Sequence, residues 1–228
     1  YGLTPAQVLA GNGSDDILNI VIRAWLDPGD VLAYPEPTYS LYPVLADIHG
    51  ARVATMPWLD GWRLPVDALL ATGARVIMIA NPNAPSGTLV GSDELRALAR
   101  RFDGLLIVDE AYAEFADGNA LDLLADCPNV VVSRTLSKAY GLAGLRFGYA
   151  LAAPAVIVEL TKVKDSYNCD AIAIAAACAA LEDQAYAREG WAKVRAERAR
   201  LTGALAARGW NVIPSQANFL FARPPDGD

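Results

Sequence analysis

The sequence predicts an α/β protein with a mostly parallel central sheet covered by helices on both faces, and three observations carry that reading. Six apolar runs of strand length recur as continuous rather than alternating stretches, the pattern of strands buried on both sides. Helical periodicity fills several of the gaps, as in Ile17, Ile20, Val21, Ala24 and Trp25, or Leu95, Leu98, Ala99 and Phe102. Strands alternating with helices imply right-handed parallel crossovers. At 228 residues and 54% hydrophobic content, the chain has ample material for a core.

Taken in order, "LAGNGSDD" opens a helix with Ser14 as its N-cap and Asp15 and Asp16 in the first turn. Strands follow at "VLAY" (31–34), "ARVATM" (51–56), "RVIMIA" (75–80), "LLIVDE" (105–110), "NVVVS" (129–133) and "RFGYALA" (146–152). From about residue 170 the texture becomes an alanine-rich helix. A long charged helix around 188–208 follows, with Arg195, Glu197, Arg198 and Arg200 on its wet side. The short strands "WNVIP" and "NFLFA" close the chain. We therefore expect a large domain over 1–187 and, over 188–228, a linking helix with the start of a smaller α/β domain. The first residue is not methionine and the last apolar run is followed at once by "RPPDGD", so the chain is expected to be a piece of a longer protein.

A formal charge of -7 with 19 dispersed basic residues argues against a nucleic-acid partner, which needs a concentrated basic surface. Cys127, Cys169 and Cys178 lack CxxC spacing and are odd in number, so they read as buried thiols in a reducing compartment; neither a disulfide framework nor a metal site is indicated. No apolar run approaches the ~18 residues of a membrane span, and "YGLTPAQ" has no signal character, which points to the cytoplasm.

Ligands of open parallel sheets bind beyond the carboxyl ends of the strands, so the loops there are the candidates for chemistry. Gly13 and Ser14 are consistent with a plain helix cap and equally with a cradle whose free N–H groups face an anion. Asp109 ends a buried apolar strand and needs a cation, a metal or hydrogen-bond donors to offset lost hydration. "LLIVDE" resembles the magnesium-binding strand of nucleotide enzymes, but the phosphate loop GxxxxGK[ST] that such an enzyme requires is absent from the sequence. Lys138, in "RTLSKAYGLAGLRFGY", follows Val130, Val131 and Val132; it reads either as a snorkelling side chain or as a desolvated amine suited to an imine with an aldehyde. Arg146, with the hydroxyls of Thr135 and Ser137 and a helix start, makes a phosphate clamp. An imine-forming lysine, an anion for a pyridinium and a phosphate clamp are together the requirements of pyridoxal 5'-phosphate.

"NPNAPSG", "VDEAY" and "RTLSKAYGLAGLRFGY", in this order and spacing, resemble the fold-type I pyridoxal-phosphate aminotransferases, and most closely the histidinol-phosphate aminotransferases. The resemblance runs from "GNGSDD" to "SQANFLFAR" and is more specific for the superfamily than for the substrate. It implies that Lys138 holds the cofactor as an aldimine, Asp109 pairs with its ring nitrogen, Tyr112 bonds its phenolic oxygen and Tyr39 stacks on its ring. The phosphate would take Gly13, Ser14, Ser137 and Arg146, with Thr135 a lesser contact. Where the family has an asparagine for the phenolic oxygen this chain has Ala84, so Asn83 or Asn81 substitutes or Tyr112 acts alone; Ala84-Pro85 also suits a cis peptide. "KVKDSYN" resembles a substrate-side segment, which would give Tyr167 and Asn168 that role.

The implied activity is transfer of an amino group from histidinol phosphate, or a similar amine, to 2-oxoglutarate by ping-pong kinetics in histidine biosynthesis. Lys138 is the natural proton carrier, because the one histidine, His49, sits where a helix end explains it. The resemblance also implies a homodimer with active sites at the subunit boundary, an N-terminal arm before residue 1 and a substrate-binding arginine beyond residue 228. The alternatives are an aromatic amino acid aminotransferase, a decarboxylase of the threonine-phosphate type, and a non-catalytic cofactor-binding module acting as a sensor.

Overall fold

The structure, a computed structural model, describes residues 1–225. Seven strands form the central sheet: β1 (Val8–Gly11), β2 (Val31–Glu36), β3 (Arg52–Pro57), β4 (Val76–Ala80), β5 (Leu105–Asp109), β6 (Val130–Thr135) and β7 (Gly148–Ala152). Their order is β1-β7-β6-β5-β4-β2-β3. The pairs from β3 through β6 are parallel, whereas β7 runs antiparallel to both of its neighbours, β6 and β1. The architecture is an α/β sheet that is parallel at its centre, as expected from the sequence.

Each face of the sheet has its own core. Helices α1 (Ser14–Trp25), α2 (Leu41–Ile48) and α5 (Pro154–Val163) pack over Val76, Met78, Leu105, Ile107 and Val131. On the other face α3 (Val66–Leu70) and α4 (Ser92–Arg101) pack over Ile77, Ile79, Leu106, Val108 and Val132. Because successive strand residues point to opposite faces, the two sets alternate along β4 and β5. In α1 the buried residues are Ile17, Leu18, Ile20, Val21 and Ile22. Isoleucine and valine cost a helix roughly half a kcal/mol each relative to alanine. Burying each such side chain returns about 1.5–3 kcal/mol, so packing decides.

Two details differ from the sequence expectation at α1. Gly13, not Ser14, occupies the N-cap position, and Ser14 is the first helical residue. Strand β1 was not expected at all. Downstream, α6 (Ala171–Glu182) starts at Asp170, whose carboxylate accepts from the Ile172 and Ala173 amides at 2.8 and 2.9 Å. The long helix α7 spans Gln184–Ala206, so residue 188 falls inside it. Arg195 and Arg198 do not lie on a wet side: they donate to the carbonyls of Glu114 and of Phe115 and Ala217, tying α7 to the segment after β5. The short hairpin β8 (Asn211–Ile213) and β9 (Phe221–Arg223) matches the expected closing strands. Of the three free thiols only Cys127 is buried; Cys169 is partly accessible and Cys178 exposed. Among the described residues no helix is long and apolar enough to cross a membrane.

Candidate active site

The last residues of β4, β5 and β6, namely Ala80, Asp109 and Thr135, open on one cavity of about 130 Å³. Ser14, Asp15, Tyr39, Tyr112, Ser137, Lys138 and Arg146 complete most of its wall. The sheet topology explains the convergence, since parallel strands present their carboxyl ends on the same side.

At the inner end Asp109 is 4% exposed. Its Oδ2 accepts from the Tyr42 hydroxyl at 3.1 Å, and its Oδ1 has no hydrogen-bond partner. Burial pushes its pKa up to about 7, with the Tyr42 hydroxyl pulling the other way and the charge of Asp15 adding to the rise. A buried carboxylate oxygen left unsatisfied is costly, so a cationic N–H donor entering the cavity would be bound strongly. The neighbouring Glu110 points to the other face by strand alternation. There it takes Arg134 through Nη2 at 2.5 Å and Nε at 2.9 Å, and Arg134 also reaches Glu114 at 3.1 Å. This buried pair ties the ends of β5 and β6 together and leaves Glu110 unavailable to a magnesium ion. Among the described residues no set of three or more potential metal ligands is gathered.

The outer end is built around Arg146. Its guanidinium donates to Ser137 Oγ at 3.5 Å, to the Ala143 carbonyl at 3.3 Å and to Asp15 Oδ2 at 3.4 Å. The Thr135 hydroxyl donates to Ser137 Oγ at 2.9 Å. The first N–H groups of α1 have no acceptor within the helix, and Gly13 brings no side chain to cap them. Gly13, at φ 90°, sits where L side chains are strained, and a Cβ there would also lie 2.5 Å from Arg146 Nη2 and push the guanidinium aside. Gly148 is required for a related reason, because its Cβ would meet the Ser14 amide nitrogen at 2.4 Å. Arg146 itself sits in the left-handed region at φ 51°, a conformation that costs about 1–3 kcal/mol in a residue other than glycine.

Between the two ends stand Lys138 and two tyrosines. Lys138 Nζ lies 5.7 Å from the centroid of the Tyr112 ring. The expected desolvation of this lysine is not observed, since Lys138 is exposed; the valines before it bury themselves in β6 rather than the amine. The Tyr112 ring is held edge-on by Phe219, with centroids 5.1 Å apart. Burial raises the pKa of its hydroxyl, and the charge of Asp109 adds to the rise. The Tyr39 hydroxyl donates to Asp15 Oδ1 at 3.2 Å, and burial together with Asp15 pushes its pKa up to about 12.

Thus the structure gathers Ser14, Tyr39, Asp109, Tyr112, Thr135, Ser137, Lys138 and Arg146 around one cavity, with Gly13 against Arg146. Four residues weighed for the site are elsewhere. Asn83 is fully buried and its amide is spent on the Pro37 carbonyl, Ser86 Oγ and the Thr38 hydroxyl. Asn81 is likewise consumed by the backbone of Val90. The cavity wall at this point is Ala84, whose peptide bond to Pro85 is cis, so of the residues weighed for the phenolic oxygen only Tyr112 lines the cavity. Tyr167 is 97% exposed, and Asn168 bonds the Ala10 carbonyl outside the cavity. His49 ends α2 and bonds Asn19, as a helix-end residue does. Sequence reasoning missed Tyr42 and Asp15; Tyr42, three residues beyond Tyr39, carried no mark to distinguish it from a core aromatic.

A lysine, a buried aspartate and an arginine beside a helix start, gathered on one cavity at the carboxyl ends of a parallel sheet, match a class of cofactor-dependent transferases. The aminotransferase class I and II family model matches residues 1–228, and the chain belongs to that family. Among curated proteins it is 48% identical over 224 residues to the histidinol-phosphate aminotransferase of Rhodopirellula baltica, covering 98% of this chain and 62% of that protein. It is 47% identical over 227 residues to histidinol-phosphate aminotransferase 1 of Trichormus variabilis, covering 100% of this chain and 65% of that protein. The chain therefore spans somewhat under two thirds of the length of these relatives. Among solved structures, the histidinol-phosphate aminotransferase of Sinorhizobium meliloti in complex with pyridoxal-5'-phosphate superposes with a TM-score of 0.91 at 34% identity, over 97% of this chain and 62% of that one.

Proposed function

We propose that the intact protein is a pyridoxal-phosphate aminotransferase that moves the amino group of histidinol phosphate to 2-oxoglutarate, working as a cytoplasmic homodimer. The observation that carries this is Asp109 Oδ1, an unpartnered buried carboxylate oxygen on the same cavity as Lys138 and the Arg146 cradle. The relatives named histidinol-phosphate aminotransferase support the choice of substrate. An unpartnered apolar face supports pairing with a second copy: Tyr167, Ile172 and Ile174 are 97, 74 and 45% exposed around the start of α6.

The residues fit the cofactor at both ends of the cavity. Pyridoxal phosphate supplies an aldehyde and an electron-accepting ring, which makes an amino acid's α-proton acidic. Asp109 Oδ1 holds a proton on the ring nitrogen and so keeps that ring electron-poor. Arg146, Ser137, Thr135 and the first amides of α1 bind the phosphate, displacing the contact between Arg146 and Asp15. Tyr39 covers a ring face, and Tyr112 donates to the phenolic oxygen in place of the absent asparagine. Lys138 would hold the cofactor at rest and, once displaced by the incoming amine, its free amine would carry the proton from the substrate's α-carbon to the cofactor's aldehyde carbon, across the nitrogen between them. Release of the carbonyl product before the 2-oxo acid binds gives ping-pong kinetics. The test is a half-reaction screen: the absorbance of the bound cofactor is followed while single amino donors are added to the intact protein. Histidinol phosphate should convert it fastest. A faster response to an aromatic amino acid, or carbon dioxide release from a phosphorylated one, would replace the substrate assignment.

A further inference from the structure

Tyr42 is fully buried, and its hydroxyl donates to Asp109 Oδ2 at 3.1 Å. Three features make this more than a chance contact. The ring of Tyr42 is fixed edge-on between those of Tyr34 and Tyr39, with centroid separations of 5.6 and 5.8 Å. The backbone fixes it too, since the Tyr42 amide donates to the Tyr39 carbonyl at 3.3 Å at the start of α2. Finally, Tyr42 is the one side chain that donates to Asp109 among the described residues; Ser133, in register with Asp109 on β6, has a buried hydroxyl with no partner.

We propose that Tyr42 is a positioning residue for the cofactor's ring nitrogen: by holding Asp109 Oδ2 it turns Oδ1 into the cavity. The inference rests on the aminotransferase reading above and deepens it. A carboxylate group rotates easily about its terminal torsion, so without an anchor on one oxygen the other has no fixed direction. The Tyr42 hydroxyl, together with the Ala111 backbone amide, also opposes the rise that burial imposes on Asp109, so without it the carboxylate would hold its own proton more readily and offer the ring nitrogen a weaker partner. The same short segment that carries Tyr39, the ring-stacking candidate, thus also sets the group beneath the ring nitrogen.

The test uses the intact protein, stripped of cofactor and titrated with pyridoxal phosphate or with its 1-deaza analogue, in which the ring nitrogen is replaced by carbon. Tyr42→Phe keeps the ring and its aromatic packing while removing the hydroxyl. We expect it to weaken pyridoxal phosphate binding about tenfold or more, the loss typical of one hydrogen bond to a charged group, and to leave the analogue within about twofold. Equal weakening of both ligands would mean that Tyr42 only packs, and no change in either would remove its role; each result overturns the proposal. Asp109→Asn provides a second arm, in which adding Tyr42→Phe should cost no further affinity, and a full additional loss would also overturn it. If the unaltered protein does not distinguish the two ligands, the ring-nitrogen role of Asp109 fails, and with it both the parent reading and this inference.

Discussion

The two ends of the cavity are built on opposite principles. Asp109 at the inner end is almost wholly buried and aimed by Tyr42, and its free oxygen is in place before any ligand arrives. At the outer end the side chains of Arg146 and Asp15 are 43 and 45% exposed, and the contacts of Arg146 there are long, 3.3–3.5 Å. Burial sets the inner end in advance at a cost to stability, whereas the outer end is held by screened charges that can exchange one anion for another. The inner end is therefore where function and stability should conflict. At the outer end, affinity should change with little effect on folding.

The largest effect is expected at Lys138, which both ends serve. Lys138→Ala should lower turnover by at least a thousandfold, as loss of a proton-transferring group does, with the fold retained by circular dichroism. Next comes Asp109→Asn, for which a loss of roughly a hundredfold to a thousandfold in kcat is expected because the preorganised charge at the ring nitrogen disappears. The same variant should stabilise the cofactor-free protein. The folded pKa of Asp109, about 7, lies above its ordinary value of 3.8, so the folded state holds the extra proton between these limits and loses stability as pH rises through them. Thermal unfolding should show the gain from Asp109→Asn in full at pH 8 and almost none at pH 4. An equal gain at both would mean the carboxylate is not desolvated.

Smaller effects test the outer end. Arg146→Ala should weaken cofactor binding about tenfold to a hundredfold, with unfolding of the cofactor-free protein shifted little. Inorganic phosphate competing with the cofactor should lose its effect in the same variant. Thr135→Val, which removes a hydroxyl that donates to Ser137, should cost only a few-fold in affinity, measured in the same titration. If Arg146→Ala destabilised the fold as much as it weakened binding, the contrast between the ends would be lost.

Much of this arrangement is legible in the sequence, and the exceptions have physical causes. The six expected strands are continuous apolar runs, and the loops after four of them, β2, β4, β5 and β6, do converge on the cavity; those after the edge strand β3 and the antiparallel β7 do not. Strand β1 escapes notice because it is four residues long, half-buried and ends in glycine. Nothing in "RFGYALA" tells that β7 runs antiparallel, since strand direction depends on how far the chain travels between strands. Asn83 has the right type and place for a cofactor contact, but its amide is used up within its own loop, and side-chain direction is not written in spacing. The apolar neighbours of Lys138 mark the end of a buried strand rather than a desolvated amine. Tyr42 is invisible for the opposite reason: a fully buried tyrosine on a helix looks like core until its hydroxyl partner is seen.

The most direct test of the central claim is borohydride reduction of the intact, cofactor-loaded protein, followed by peptide mapping. The reduced cofactor should be found on the peptide that carries Lys138, with one equivalent per chain, and the bound absorbance should disappear in step. Recovery of the label on Lys162 or Lys164 instead, or no stable label at all, would contradict the assignment of this cavity as the catalytic site.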